Sequence, residues 1–289
     1  MPSWETTYVP STDGVQVAMH DFGGDGRLLL FNHATGFCGH VWQPMIESLR
    51  SRFRCVAIDL RAHGHTVLPE GLAPVWRGMA DDLTAVIDHL SPGEPVLAVG
   101  HSMGGTAIIM AETARRGLVD RAWTFEPILL PLAPVVTGEA GPDIARAARR
   151  RRGVFASRLE ARQRYAGRPP LDRLDRRALD AYVEHGFVER ADGTVALRCS
   201  PETEAAVFEH HNTGADLLIA GLGIPFLVAV GRADDGPAAQ AIAAVGPLSG
   251  VRVVEYPDLT HFGPLEEPDR LAVDVERFFM GEIGTEEDG

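Results

Sequence analysis

Two apolar rhythms divide this chain. In its first third and last quarter, short unbroken apolar runs alternate with stretches of helical spacing. Leu28-Leu29-Leu30-Phe31, Cys55-Val56-Ala57-Ile58, Pro95 to Val99 and Phe226-Leu227-Val228-Ala229-Val230 lack the polar alternate positions of a half-exposed strand. Such runs suit strands buried on both faces. Arg121 to Phe125 and Val251 to Glu255 read as further strands, and Val15 to Met19 alternates apolar and polar before the turn Gly23-Gly24-Asp25-Gly26. Between them, Val41 to Leu49, Met79 to Leu90, Thr106 to Arg115, Ala238 to Val245 and Leu265 to Met280 carry helical spacing. Strands that alternate with helices predict right-handed crossovers and a mostly parallel sheet, with ligands at the carboxyl ends of the strands.

From about Leu130 to Asn212 the rhythm changes. Few buried-strand runs occur, and Arg and Ala dominate stretches that read as helices over Asp143 to Leu159, Asp175 to His185 and Glu202 to Phe208. The segment is expected to be a helical insertion above the sheet. The run Arg149-Arg150-Arg151-Arg152 inside it is read as a solvated helix face paired with acidic neighbours.

Composition narrows the picture. With 289 residues, 45% hydrophobic and 23% charged, the chain is long enough for one large α/β domain carrying an insertion. A formal charge of −13 disfavours nucleic acid and anionic membranes as partners. No apolar stretch approaches the ~20 residues of a membrane helix, and Met1 to Thr7 lacks the basic patch and apolar run of a signal peptide. Three dispersed cysteines, Cys38, Cys55 and Cys199, read as reduced thiols of a cytoplasmic protein, not as a disulfide framework or a metal site. No glycine-rich dinucleotide fingerprint is present, so no cofactor and no metal are expected.

The sharpest chemical signal is Gly100-His101-Ser102-Met103-Gly104, set between the buried run ending at Val99 and the helical stretch from Thr106. A serine hydroxyl needs an exposed position, a base and oxyanion donors to act as a nucleophile. Glycines on either side permit a strained strand-to-helix turn that pushes the serine outward. The Met103 N–H, at the start of the following helix, can then donate to an oxyanion. His101 is expected to face away and pack.

Along nearly its whole length the chain resembles the α/β-hydrolase superfamily. The residues that carry the resemblance are Gly100 to Gly104, the segment Asn32-His-Ala-Thr-Gly-Phe37, the run Asp59-Leu-Arg-Ala-His-Gly64 and the late His261-Phe-Gly-Pro-Leu-Glu266. The resemblance implies a mostly parallel central sheet flanked by helices, with core residues 1–128 and 214–289 and a helical lid over 129–213. It implies a second oxyanion donor in the loop after Leu28 to Phe31, carried to the Thr35 N–H with Ala34 as the alternative, because Ala34 stands where the family often has glycine.

His261 stands where the family's base follows the acid in chain order. Two carboxylates compete for the acid. Asp234 lies in a Gly-x-x-Asp turn after Phe226 to Val230, the commonest family position. Glu126 ends the strand after the nucleophile's helix, in a segment, Phe125 to Pro131, that resembles those of haloalkane dehalogenases and fungal zearalenone lactonases. A carboxylate at the end of an apolar strand needs a partner, and aspartates are common in polar turns for turn reasons alone, so Glu126 is favoured.

Phe37, Trp42, Tyr165 and Tyr182 are candidate pocket residues. The implied activity is cleavage of a small carboxylic ester or lactone through an acyl-enzyme. Carbon–carbon bond or thioester hydrolysis with the same residues, and a small-ligand receptor on the same fold, are the alternatives. Ser102 in place of an aspartate nucleophile excludes epoxide hydrolase and dehalogenase chemistry. A homodimer is compatible with all of these readings.

Overall fold

The structure, a computed structural model, describes residues 6–233, 236–246, 248 and 250–282. Its centre is an eight-stranded sheet. The strands are β1 (Thr6–Pro10), β2 (Gln16–Asp21), β3 (Leu28–Asn32), β4 (Arg54–Asp59), β5 (Val96–His101) and β6 (Val119–Phe125). After the insertion, which holds the short strands β7 (Val154–Phe155), β8 (Phe187–Glu189) and β9 (Val195–Leu197), come β10 (Phe226–Gly231) and β11 (Val251–Tyr256). The order across the sheet is β1-β2-β4-β3-β5-β6-β10-β11. From β4 to β11 every pairing is parallel; β1 and β2 form an antiparallel edge.

The unbroken apolar runs follow from burial on both faces. Successive side chains on a strand point to opposite sides. Leu29 and Phe31, Cys55 and Ala57, and Leu97 and Val99 join one apolar cluster with the helices Gln43–Leu49 and Pro268–Phe279. Leu30, Val56 and Ile58, and Val96 and Ala98 join the opposite cluster with the helices Trp76–Leu90, Met103–Ala114 and Ala238–Val245. A polar residue at any of these positions would lose its water without a partner.

The chain runs from β3 to β4 on one side and then returns to place β5 on the other side of β3. Such a reversal opens a crevice at the strands' carboxyl ends, where ligands bind in open α/β sheets.

The inserted segment, between β6 and β10, differs from the predicted pattern in two respects. The predicted helix Asp143 to Leu159 is two helices, Asp143–Arg149 and Arg158–Ala166, separated by Gly153 and β7. A Cβ at Gly153 would lie 2.8 Å from Pro201, so close packing of the helix Pro201–Glu209 interrupts the first helix there. β7, β9 and β8 form a small antiparallel sheet, too short to show in the apolar pattern. The predicted closing helix Leu265 to Met280 is also broken. Glu267, at φ −129° and ψ 60°, precedes Pro268, and the residue before a proline is disfavoured in helical conformation. Among the described residues no helix is long and apolar enough to cross a membrane.

Candidate active site

Neighbouring strand ends converge on one cavity. Asn32 on β3 pairs with Gly100 on β5, and His101 on β5 pairs with Phe125 on β6. Phe125 is opposite Ala229 on β10, and Gly231 is opposite Tyr256 on β11. The loops leaving these ends carry residues 33–36, Ser102, Glu126 and His261.

Ser102 sits at φ 52° and ψ −115°, a backbone conformation that L-residues seldom adopt. Its N–H donates to the Phe125 carbonyl at 2.9 Å, which locks the turn onto β6. The flanking glycines are sterically required. A Cβ at Gly104 would stand 2.3 Å from the Asn32 carbonyl oxygen, and one at Gly100 would stand 2.6 Å from the Gly105 backbone. These contacts let the helix Met103–Ala114 start directly against β3 and β5.

Among the described residues, the backbone N–H groups of Ala34, Thr35 and Met103 have no hydrogen-bond partner. The loop that presents the first two is held by buried groups. Asn32 donates to the Val99 carbonyl, the His33 ring accepts from the Leu60 N–H at 3.1 Å, and Thr35 Oγ1 lies against Met103 Sδ. Burial lowers the pKa of His33, so it remains the neutral acceptor that this contact needs.

Glu126 is fully buried at φ 42°. Its N–H donates to Ala229, one carboxylate oxygen accepts from the Gly231 N–H at 2.8 Å, and the other lies 2.6 Å from His261 Nδ1. A carboxylate can only accept, so Nδ1 is the donor in this contact. The His261 ring is 19% exposed. Asp234 and its neighbour Asp235 lie outside the described residues.

His101 does more than pack. It is buried, and its Nε2 stands 2.8 Å from the His261 carbonyl, which ties the end of β5 to the loop carrying His261. Burial, followed by the neighbouring His261, lowers its pKa and keeps it neutral. The x of Gly-x-Ser-x-Gly gives no hint of this in sequence, because its partner is 160 residues away.

The cavity above these ends has a volume of about 600 Å³. Ala34, Thr35, Phe37, Ser102, His261 and Phe262 line its floor, and Tyr165, Tyr182 and Phe208 reach in from the inserted segment. Trp42 does not reach it. Its ring is buried against Phe31 at 5.5 Å, because the short helix Gly39–Trp42 turns it into the core. The lining also contains five arginines, Arg150, Arg151, Arg152, Arg164 and Arg168, whose place in the cavity was not legible from their spacing.

The run Asp59 to Gly64 is structural. Asp59 Oδ1 accepts from the Gly39 N–H at 2.6 Å, and Oδ2 from the His65 N–H at 2.8 Å and from His20 Nε2 at 3.0 Å. Arg61 is buried and pairs with the equally buried Asp82 at 2.8 Å. His20, Asp59 and His65 bring three atoms of metal-ligand type within 4.8 Å of one another, but the Asp59 oxygens already serve as the knot of these loops. The three cysteines are buried and free, and burial pushes the thiol of Cys38 far up and that of Cys55 to about 12, so they lack nucleophilic thiolate character.

Over 125 residues the chain is 34% identical to the "Probable oxidoreductase EphD" of Mycobacterium tuberculosis, which covers 43% of this chain and only 21% of that protein. The chain thus spans about a fifth of that relative's length. It is 26% identical over 242 residues to the 2-(acetamidomethylene)succinate hydrolase of Mesorhizobium japonicum, covering 83% of each. A crystal structure of E-2-(acetamidomethylene)succinate hydrolase superposes with a TM-score of 0.77 at 21% identity, covering 96% of this chain and 99% of that one. A family model described as the alpha/beta hydrolase family matches residues 28–275, and the chain belongs to that family.

Proposed function

We propose that the protein is a serine hydrolase that cleaves a carboxylic ester or lactone of a small molecule through an acyl-enzyme. Ser102 is the nucleophile, His261 the base and Glu126 the acid that orients it. The observation that carries this reading is the buried Glu126 carboxylate 2.6 Å from His261 Nδ1, at the cavity that Ser102 also lines.

In this reading the Ser102 hydroxyl oxygen attacks the substrate carbonyl carbon while its proton passes to His261 Nε2. The carbonyl electron pair moves onto oxygen, where the N–H groups of Met103 and of Thr35 or Ala34 receive it. Among the described residues these three N–H groups have no partner, which supports an oxyanion role. Collapse of the tetrahedral species expels the alcohol, which takes the proton from His261. Water then attacks the acyl carbon while giving a proton to His261, and collapse of this second tetrahedral species breaks the bond to Ser102, whose oxygen takes that proton back as the acid leaves. Glu126, held by the Gly231 N–H as well as by His261, stabilises the imidazolium at each stage. The inserted segment acts as the lid and supplies the upper wall.

The test is turnover of a panel of p-nitrophenyl esters, small lactones and thioesters, together with labelling by a fluorophosphonate. Ester or lactone turnover that disappears in Ser102→Ala, with the label on Ser102, is the expected result. Thioester preference would shift the reading to a thioesterase. Turnover that survives Ser102→Ala, or no turnover and no label at all, would overturn it.

A further inference from the structure

We propose that the arginines of the inserted segment form an anion site, so that the substrate carries a carboxylate or phosphoryl group at the end remote from the bond that is cleaved. This rests on the serine-hydrolase reading of the same cavity.

The charge pattern is the starting point. The chain as a whole carries −13, yet among the described residues the cavity lining holds five arginines and a single carboxylate, Glu204. The rest of the wall is mainly apolar, so the local field is not diluted by counter-charge.

The five arginines fall into two groups. Arg151 and Arg152 are engaged. Arg151 pairs with Glu204 at 2.5 Å and donates to the hydroxyls of Tyr165 and Tyr182. Arg152 binds Glu160 at 2.7 Å and lies over the Phe155 ring at 4.5 Å. These contacts fix the wall.

Arg150, Arg164 and Arg168 differ. Among the described residues their side chains make no hydrogen bond and no ion pair, although they line the same cavity. Arg164 stands four residues after Glu160 and helps lower its pKa, but Glu160 spends its oxygens on Arg152 and the Ala156 N–H.

Three such guanidiniums on a cavity wall are unusual economy for a structural role. Elsewhere in the inserted segment, Arg149, Arg158, Arg162 and Arg177 each have a carboxylate partner, while among the described residues Arg176 and Arg198, outside the cavity lining, have none. Arg164 and Arg168 are four residues apart at the end of the helix Arg158–Ala166, and Arg150 caps the helix Asp143–Arg149. A planar guanidinium presents paired N–H donors that match the two oxygens of a carboxylate or phosphoryl group. The floor holds the chemistry and the upper wall holds the charge. A substrate with an ester at one end and an anion at the other spans both.

The experiment compares monomethyl succinate and monomethyl glutarate with their dimethyl esters and with methyl 3-phosphonopropionate. Hydrolysis is followed by methanol release in the full-length enzyme. Binding is followed by calorimetry in Ser102→Ala, which does not depend on turnover. The expected result is a kcat/KM about 10- to 100-fold higher for an anionic ester than for its neutral counterpart, and a matching difference in Kd. In Arg150→Met/Arg164→Met/Arg168→Met that ratio falls to near one. The better of the carboxylate and phosphonate esters identifies the anion.

Equal rates for charged and neutral esters, with both hydrolysed, would overturn the anion site and leave the hydrolase reading intact. Anion binding to Ser102→Ala without turnover of any ester by the native enzyme would support the anion site and remove the hydrolase reading. A charged-over-neutral ratio that survives the triple substitution would overturn the assignment to these arginines.

Discussion

Glu126, at the end of β6, is fully buried and divides its oxygens between a backbone N–H and a histidine ring, whereas Glu160, in the inserted segment, is partly exposed and gives both oxygens to Arg152, sharing one with the Ala156 N–H. The contrast extends to their surroundings. In the core, Asp59 is held by two backbone N–H groups and His20, and Glu112 by the N–H groups of Gly117, Leu118 and Val119. In the inserted segment, carboxylates meet long arginines at the surface, as in Arg149–Glu202, Arg158–Glu189 and Arg162–Asp180. Backbone donors have no rotamer freedom to lose and do not dissociate in salt. Arginine pairs lose side-chain entropy and are screened. The core site is therefore preorganised, and the charges of the inserted wall can rearrange around a ligand.

The largest expected effect tests the core half of this contrast. Glu126→Gln keeps the shape but removes the negative charge and can present an amide donor to His261 Nδ1, which favours the wrong tautomer. A loss of about 10³- to 10⁴-fold in kcat is expected, by analogy with loss of the acid in serine-protease triads. Asp234→Asn is expected to stay within about tenfold of the native rate. Steady-state kinetics on the best ester of the panel decide it, and the opposite ranking would move the acid to Asp234.

A smaller effect sharpens the comparison through pH. Burial lowers the pKa of His33, His40, His63 and His101, to about 2 for His40 and about 3 for His63, against an ordinary 6.5. As pH falls below 6.5 the unfolded chain takes up protons that the folded chain refuses. Stability is therefore full above about pH 6.5 and is lost progressively below it. Asp59 acts in the same direction but in a lower window. Its burial alone would raise the carboxyl, but His20 and His65 hold it well below its ordinary 3.8, so its contribution is kept down to that range and lost only beneath it. Between pH 7 and 5.5 His40 and His63 are each expected to remove on the order of 1 kcal/mol. A fall in the urea midpoint at constant slope measures this. A flat midpoint over that range would mean that these rings open to water.

How far the sequence disclosed these two regions follows from the range of the interactions. The core was legible because burial on both faces writes itself into unbroken runs such as Leu28 to Phe31. The turn around Ser102 was legible because its glycines answer to contacts under 3 Å with Asn32 and Gly105. The favoured Glu126 follows from a local argument, a carboxylate stranded at the end of an apolar strand. The misjudged parts depend on distant partners. Gly153 breaks a helix because Pro201 lies against it, Trp42 turns into the core toward Phe31, and His101 reaches a carbonyl on the loop after β11. The run Arg149 to Arg152 was read as a solvated face paired with acids. That holds for Arg149 and Arg152, which pair with Glu202 and Glu160. Arg150 is exposed as that reading expects but has no acidic partner among the described residues, and helical spacing does not say that it borders a cavity.

The smallest expected effect tests the inserted half. Arg162 pairs with Asp180 between the helices Arg158–Ala166 and Arg176–His185, and both side chains are more than a third exposed. An ion pair in that setting gains little over its hydrated partners. Arg162→Ala is therefore expected to change the unfolding free energy by less than about 1 kcal/mol, and that difference should shrink further in 0.5 M NaCl. Urea unfolding at low and high salt measures both. A loss of several kcal/mol that salt leaves untouched would mean that this pair behaves like the backbone-held carboxylates of the core. The division between a fixed floor and an adaptable wall would then fail at the helix that also carries Arg164.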